Sequence, residues 1–174
     1  MSMHTQIDVW QGEISELEVD AIVVPASESL FMTSPIASAV KRRAGDEVER
    51  DAVSRGPLPA GSAVLTGGGR LAASYVIHAV AVGHELRPDA GRLTEALDAA
   101  LTLAEELGLR RLALAPLGSE RGVFSPGDAA RLMLSVVARH AEVPTALDSV
   151  VIAVGPGELA AYRSALGSLR AEAR

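Results

Sequence analysis

A chain of 174 residues with 48% hydrophobic side chains is long enough to bury a sizeable core, and one domain of ordinary size is expected over residues 1–174. Its formal net charge of −6, with no basic stripe, disfavours sequence-independent grip on nucleic-acid phosphates. The absence of cysteine excludes a disulfide framework, a thiol nucleophile and any thiolate-bound metal. The first ten residues, MSMHTQIDVW, lack a basic segment followed by an apolar core, and no apolar run reaches membrane-spanning length; the expected location is the cytoplasm. With one Trp, two Tyr and two Phe, the core must be aliphatic.

In chain order, IDVWQG (7–12) alternates apolar and polar residues and predicts a half-buried strand. DAIVVPAS (20–27) holds a continuous apolar run of strand length, the pattern of a strand buried on both faces. From Pro35 the period changes: Ile36, Ala39 and Val40 share a helical face, and Gly45 suits the helix end. DEVERDAVSRG continues helically to Gly56, and PLPAG connects to a strand, SAVLTGGG, that runs into a glycine cluster. The sequence GGGR (67–70) lies between two strands and opens no helix, so it predicts a turn and not a phosphate cradle. YVIHAVAV (75–82) is a strand with a histidine at its centre. His78 has no carboxylate near it in sequence, which predicts a hydrogen-bonded core residue. A polar loop, GHELRPDAGR, precedes the clearest helix, LTEALDAALTLAEELGL, where Leu93, Leu97, Ala100, Leu101 and Ala104 form one stripe. RRLALAPLG predicts a buried strand, SERGVFSPGD a loop, and a helix follows from about Pro126. A last strand, DSVVIAVG, and a last helix, PGELAAYRSAL, complete the pattern.

Strands alternating with helices predict a mostly parallel sheet covered on both faces. Ligands in such folds bind at the carboxyl ends of strands. The stretches 25–35, 118–126 and 155–158 each follow a buried strand and precede a helix, so each can present free N–H groups to an anion. Asp20, at the start of a strand, is expected to serve strand-end structure.

The segments VDAIVVPAS, RRAGDEVERDAVSRGPLPAGSAVLTGGGRLAASYVIHAV and LALAPLGSERGVFSPGDAAR resemble the macro domain in order and spacing, over a core of roughly residues 7–166. The resemblance implies a three-layer α/β/α fold with a mixed, mostly parallel sheet of about six strands. It also implies a small-molecule nucleotide partner such as ADP-ribose, free or on an ADP-ribosylated protein, with no cofactor, no metal and no membrane partner. Glu13 matches the acid that accepts the adenine amino group, with Ile14 beside it. Ala26 and Ser27 match the end of the family's second strand, where Ser27 stands for an asparagine used by hydrolytic members. Ser34 and Ile36 fall in the first phosphate loop, whose glycines are here replaced by Thr33-Ser34-Pro35 and whose acid is Ala37. Ser119, Arg121, Gly122, Val123 and Phe124 loosely match the second phosphate loop. There Glu120 brings a negative charge toward a pyrophosphate and Arg121 a compensating one. No residue is assigned a catalytic task. Three readings follow. The first is a module that binds ADP-ribose or a related nucleotide weakly, without the usual hydrolase residues. The second is a hydrolase of ADP-ribosyl esters or O-acetyl-ADP-ribose, and the third a macro-like fold with another ligand or a structural role.

Overall fold

The computed structural model describes residues 5–83, 89–119 and 124–174. Its strands are β1 (Gln6–Gln11), β2 (Ala21–Ser27), β3 (Ala63–Gly67), β4 (Tyr75–Val82), β5 (Arg111–Leu114) and β6 (Ser149–Val154). Its helices are α1 (Pro35–Ala44), α2 (Asp46–Ser54), α3 (Ala90–Glu106), α4 (Pro126–Ala141) and α5 (Leu159–Glu172), with a 3-10 turn over Ile14–Glu16. The six strands form one sheet in the order β1-β6-β5-β2-β4-β3, parallel throughout except for β3, which runs antiparallel to β4 along one edge.

The apolar run of β2 is explained by its place in the sheet. Ala21 and Val23 pack with α3, α4 and α5, while Ile22 and Val24 pack with α1 and α2 on the opposite face. Both faces of the strand are therefore dry, and no polar alternation survives. This gives the expected mixed sheet between two helical layers. The cores of those layers are aliphatic, with Tyr162 the one aromatic among the large fully buried side chains.

Turn and cap chemistry sets several boundaries more sharply than hydrophobic period does. α3 begins at Ala90, ahead of the apolar stripe that opens at Leu93, because the Asp89 carboxylate accepts from the N–H groups of Gly91 and Arg92. β5 ends at Leu114. One further bond, Ala115 N–H to the Val23 carbonyl at 2.9 Å, precedes Pro116, which has no N–H to give. α5 starts after Pro156-Gly157, at Leu159. Asp20 Oδ2 accepts from the N–H groups of Arg110 and Arg111, both at 2.8 Å, tying the entry of β2 to that of β5 as a strand-end residue should. The glycine cluster is a turn. Gly69 has φ +58°, a Cβ there would collide with the Ala44 carbonyl oxygen, and the next N–H, of Arg70, donates to that same oxygen at 2.9 Å.

Candidate functional site

Because β1, β6, β5 and β2 are consecutive and parallel in the sheet, the segments leaving their carboxyl ends converge at one rim. A cleft of about 250 Å³ opens there. Gly12, Glu13 and Ile14 reach it from the end of β1; Pro35, Ile36, Ala39 and Val40 from α1; Ala115 and Pro116 from the end of β5; and Ala153, Val154, Gly155 and Glu158 from β6 and the start of α5. The walls are largely aliphatic, and the two carboxylates supply the charge: no lysine or arginine lines the cleft among the described residues.

Each wall has a local cause. β1 hands over to the 3-10 turn through Gly12, whose N–H donates to the Val154 carbonyl at 3.1 Å. A Cβ at Gly12 would strike the Trp10 indole, so only glycine lets that ring lie across the strand end. Glu13 caps the 3-10 turn with its backbone, accepting from Glu16 N–H at 3.0 Å, while its side chain makes no capping bond and is exposed. The start of α1 is fixed by Ser34, whose hydroxyl accepts from Ala37 N–H at 3.3 Å, and by Pro35 in the first helical turn. The segment after β5 hangs on Met133, whose sulfur accepts from Leu117 N–H at 3.2 Å and from the Tyr162 hydroxyl at 3.4 Å. Burial, with the Glu158 charge adding to it, raises the Tyr162 pKa well above its ordinary value, so the hydroxyl stays a donor. Glu158 is held from two sides: Oε1 accepts from Gly155 N–H at 3.1 Å and Oε2 from Ser119 Oγ at 2.9 Å.

Of the residues expected at the site, Glu13, Ile14 and Ile36 come together on the cleft. Ser34 and Ser119 stand next to it, the first committed to its helix cap and the second to Glu158. Ala26 and Ser27 lie at the end of β2, where the register to β4 shifts, and neither lines the cleft; Ser27 Oγ lies 3.2 Å from Ser29 Oγ. Phe124 is half-buried against the α3–α4 core, with its ring against Gly118, outside the cleft lining. Arg121, Gly122 and Val123, with Glu120, lie outside the described residues. Among the described residues, the cleft takes Pro35 and Ile36 from the segment after β2 and Ala115 and Pro116 from the end of β5, and none from the 118–126 stretch. It extends further, across β6 to the end of β1. Sequence reading named the 155–158 stretch as a helix-preceding segment but placed no site residue there; Glu158 is the residue it missed. Among the described residues no group of three or more His, Asp or Glu side chains is gathered to hold a metal ion, and no helix is long and apolar enough to cross a membrane.

This is an α/β architecture with a cleft at the carboxyl ends of parallel strands. The Macro domain model matches residues 23–133, and the chain belongs to the macro domain family. An uncharacterized protein of Mycobacterium tuberculosis is 40% identical over 151 residues, covering 86% of this chain but 41% of that protein, so the chain spans about two-fifths of that relative's length. An uncharacterized protein of Aquifex aeolicus is 35% identical over 147 residues, covering 84% of this chain and 88% of its own. Among solved structures, a Trypanosoma brucei macrodomain in complex with ADP-ribose superposes with a TM-score of 0.85 at 26% identity, covering 93% of this chain and 69% of that one.

Proposed function

We propose that this macro domain binds ADP-ribose or a related adenine nucleotide, free or as the modification on a protein, with the adenine end in the cleft beside Glu13 and Ile14. The observation that carries the reading is the Glu13 carboxylate, uncommitted to any cap and lining the same cleft as the aliphatic side chains of Ile14, Ile36 and Val40. A carboxylate there accepts from an exocyclic amino group, and Ile36, Val40, Ala153 and Val154 offer apolar surface to the ring that carries it. The Trypanosoma brucei macrodomain seen with ADP-ribose supports the same ligand class.

Binding is expected to be weak. Pro35 supplies no N–H in the first turn of α1, and Ala37 N–H is already given to the Ser34 hydroxyl, so the first phosphate loop offers few backbone donors. The reading assigns no hydrolytic residue. Among the described residues Ser27 Oγ pairs with the Ser29 hydroxyl and not with a base, and Ala37 holds the place of an acid.

Trp10, the only tryptophan, packs against the glycine at the cleft wall and gives a fluorescence signal for titration with ADP-ribose, ADP and AMP, alongside calorimetry. Glu13→Ala is expected to weaken binding by roughly tenfold, the loss of one hydrogen bond to a charged group. Absence of binding by any of the three, or tight binding indifferent to Glu13→Ala, overturns this reading.

A further inference from the structure

We propose that Glu158 makes this cleft selective for adenine nucleotides whose adenosine ribose carries both hydroxyls free, against forms phosphorylated on that ribose. The inference rests on the nucleotide reading above and concerns a residue that reading does not use.

Glu158 lines the same cleft as Glu13. It is not a loose surface side chain: Gly155 N–H and Ser119 Oγ each fix one of its oxygens, and its own N–H returns to the Gly155 carbonyl at 3.1 Å. A carboxylate has about four acceptor positions, so two remain after these bonds. Its location follows from the partners. Gly155 and Val154 belong to the wall shared with Glu13, while Ser119 opens the segment between β5 and α4. Glu158 therefore stands between the base end of the cleft and the loop that follows β5. With a purine amino group on Glu13, the sugar attached to the base is the part of the ligand that passes Glu158.

The chemistry of the two candidate groups is opposite. A ribose hydroxyl donates to a carboxylate; a phosphate offers only acceptors and a second negative charge. No lysine or arginine lines the cleft among the described residues to neutralise it. The same logic lets an acidic residue in dinucleotide-binding folds accept from a ribose hydroxyl and turn away the 2′-phosphate. The Ser119 and Gly155 bonds remove the alternative in which the carboxylate swings aside, since moving it would leave both donors without their partner.

The test compares binding of ADP with that of its 2′-phosphate and 3′-phosphate forms, by calorimetry, to the full chain and to Glu158→Gln. Glutamine keeps an acceptor for Gly155 N–H and an amide able to meet the Ser119 hydroxyl, and thermal melting checks that it folds. The wild-type chain is expected to bind at least one phosphorylated form tenfold or more weaker than ADP. Glu158→Gln should bring that ratio below threefold, chiefly by tightening the phosphorylated form. Should the variant fail to fold, the wild-type ratio measured from low to high salt still decides: a ratio set by charge shrinks as screening rises. The inference is overturned if ADP binds and neither phosphorylated form is tenfold weaker, if a folded Glu158→Gln leaves the ratio unchanged, or if the wild-type ratio ignores salt. If ADP itself does not bind, the nucleotide reading falls, and this inference falls with it.

Discussion

At the scale of single residues, His78 shows how a polar group is kept in a dry sheet. It sits at the centre of β4, 1% exposed, and its Nε2 lies 3.0 Å from Thr66 Oγ1. The Thr66 hydroxyl donates to the Gly67 carbonyl at 3.2 Å, so its oxygen is left to accept from the Nε2–H of a neutral ring. Burial lowers the pKa to about 4; the Asp51 charge opposes this and the Arg55 charge adds to it. The sign of the consequence follows from where the protons go. Between about pH 4 and the ordinary value near 6.5, the unfolded chain binds a proton that the folded chain refuses. Falling pH therefore destabilises the fold through that window, and above it His78 contributes no slope. Urea unfolding should show this residue removing about 2 kcal/mol between pH 7.5 and pH 5. His78→Gln should lose that part of the pH dependence. An identical slope in both proteins would mean that the ring takes up its proton without unfolding. The histidine was recognisable in sequence as a core residue, but its partner was not. Thr66 becomes a diagonal neighbour only through the antiparallel pairing in which Val64 faces His78.

At the scale of elements, the segment between β2 and α1 is held by a residue from α2. Glu49 Oε2 accepts from Met32 N–H at 2.7 Å, and Oε1 pairs with Lys41 Nζ at 2.8 Å. Burial pulls its carboxyl upward, but the Lys41 and Met32 bonds outweigh that and hold the pKa below the ordinary value. Its stabilisation is therefore present above the unfolded value and fades as pH falls through the lower folded one. Just before this brace, Leu30 is buried with φ +65°, a conformation that a bulky side chain adopts only where the surroundings impose it. Glu49 and Leu30 together fix where Ser34 and Pro35 begin α1, and so where Ile36 meets the cleft. Glu49→Gln should cost about 1 kcal/mol of stability at neutral pH and weaken ligand binding, with the stability deficit shrinking toward pH 4. Denaturant melts across pH would expose the alternative, a deficit that is flat with pH and leaves binding untouched. The helix signals of α1 and α2 are plain in the sequence. The clasp between them is not, since Met32 and Glu49 are joined only once α2 folds back on the loop.

At the scale of the whole molecule, the sheet is the frame on which the cleft depends. β2 lies inside it, flanked by β5 and β4, and Ile22 is fully buried against α1 and α2. Shortening that side chain leaves a void in the layer that supports the cleft floor. Ile22→Ala is expected to lose roughly 2–5 kcal/mol and to lower the melting temperature by about 5–15 °C for a chain of this size. Phe31→Ala, on an aromatic ring that is 53% exposed, should stay within about 0.5 kcal/mol of the parent. Equal effects of the two substitutions in a thermal melt would contradict the burial of Ile22.

Local pattern alone determined which segments became strands and helices, because periods of two and of 3.6 residues and the placement of glycine and proline are written along the chain. It also determined that β2 would be dry on both faces, while the family resemblance placed the Glu13 carboxylate just after the first strand. The order of the strands was decided by tertiary structure. β6 inserts between β1 and β5 although most of the chain separates β1 from β6, and no local period encodes which parallel strand lies beside which. That insertion brings Ala153 to Glu158 against Gly12 to Ile14, makes Glu158 a wall of the cleft, and joins it to Ser119 across 39 residues of sequence. A site assembled from the ends of three strands and the first turns of α1 exists only once those elements have chosen their neighbours.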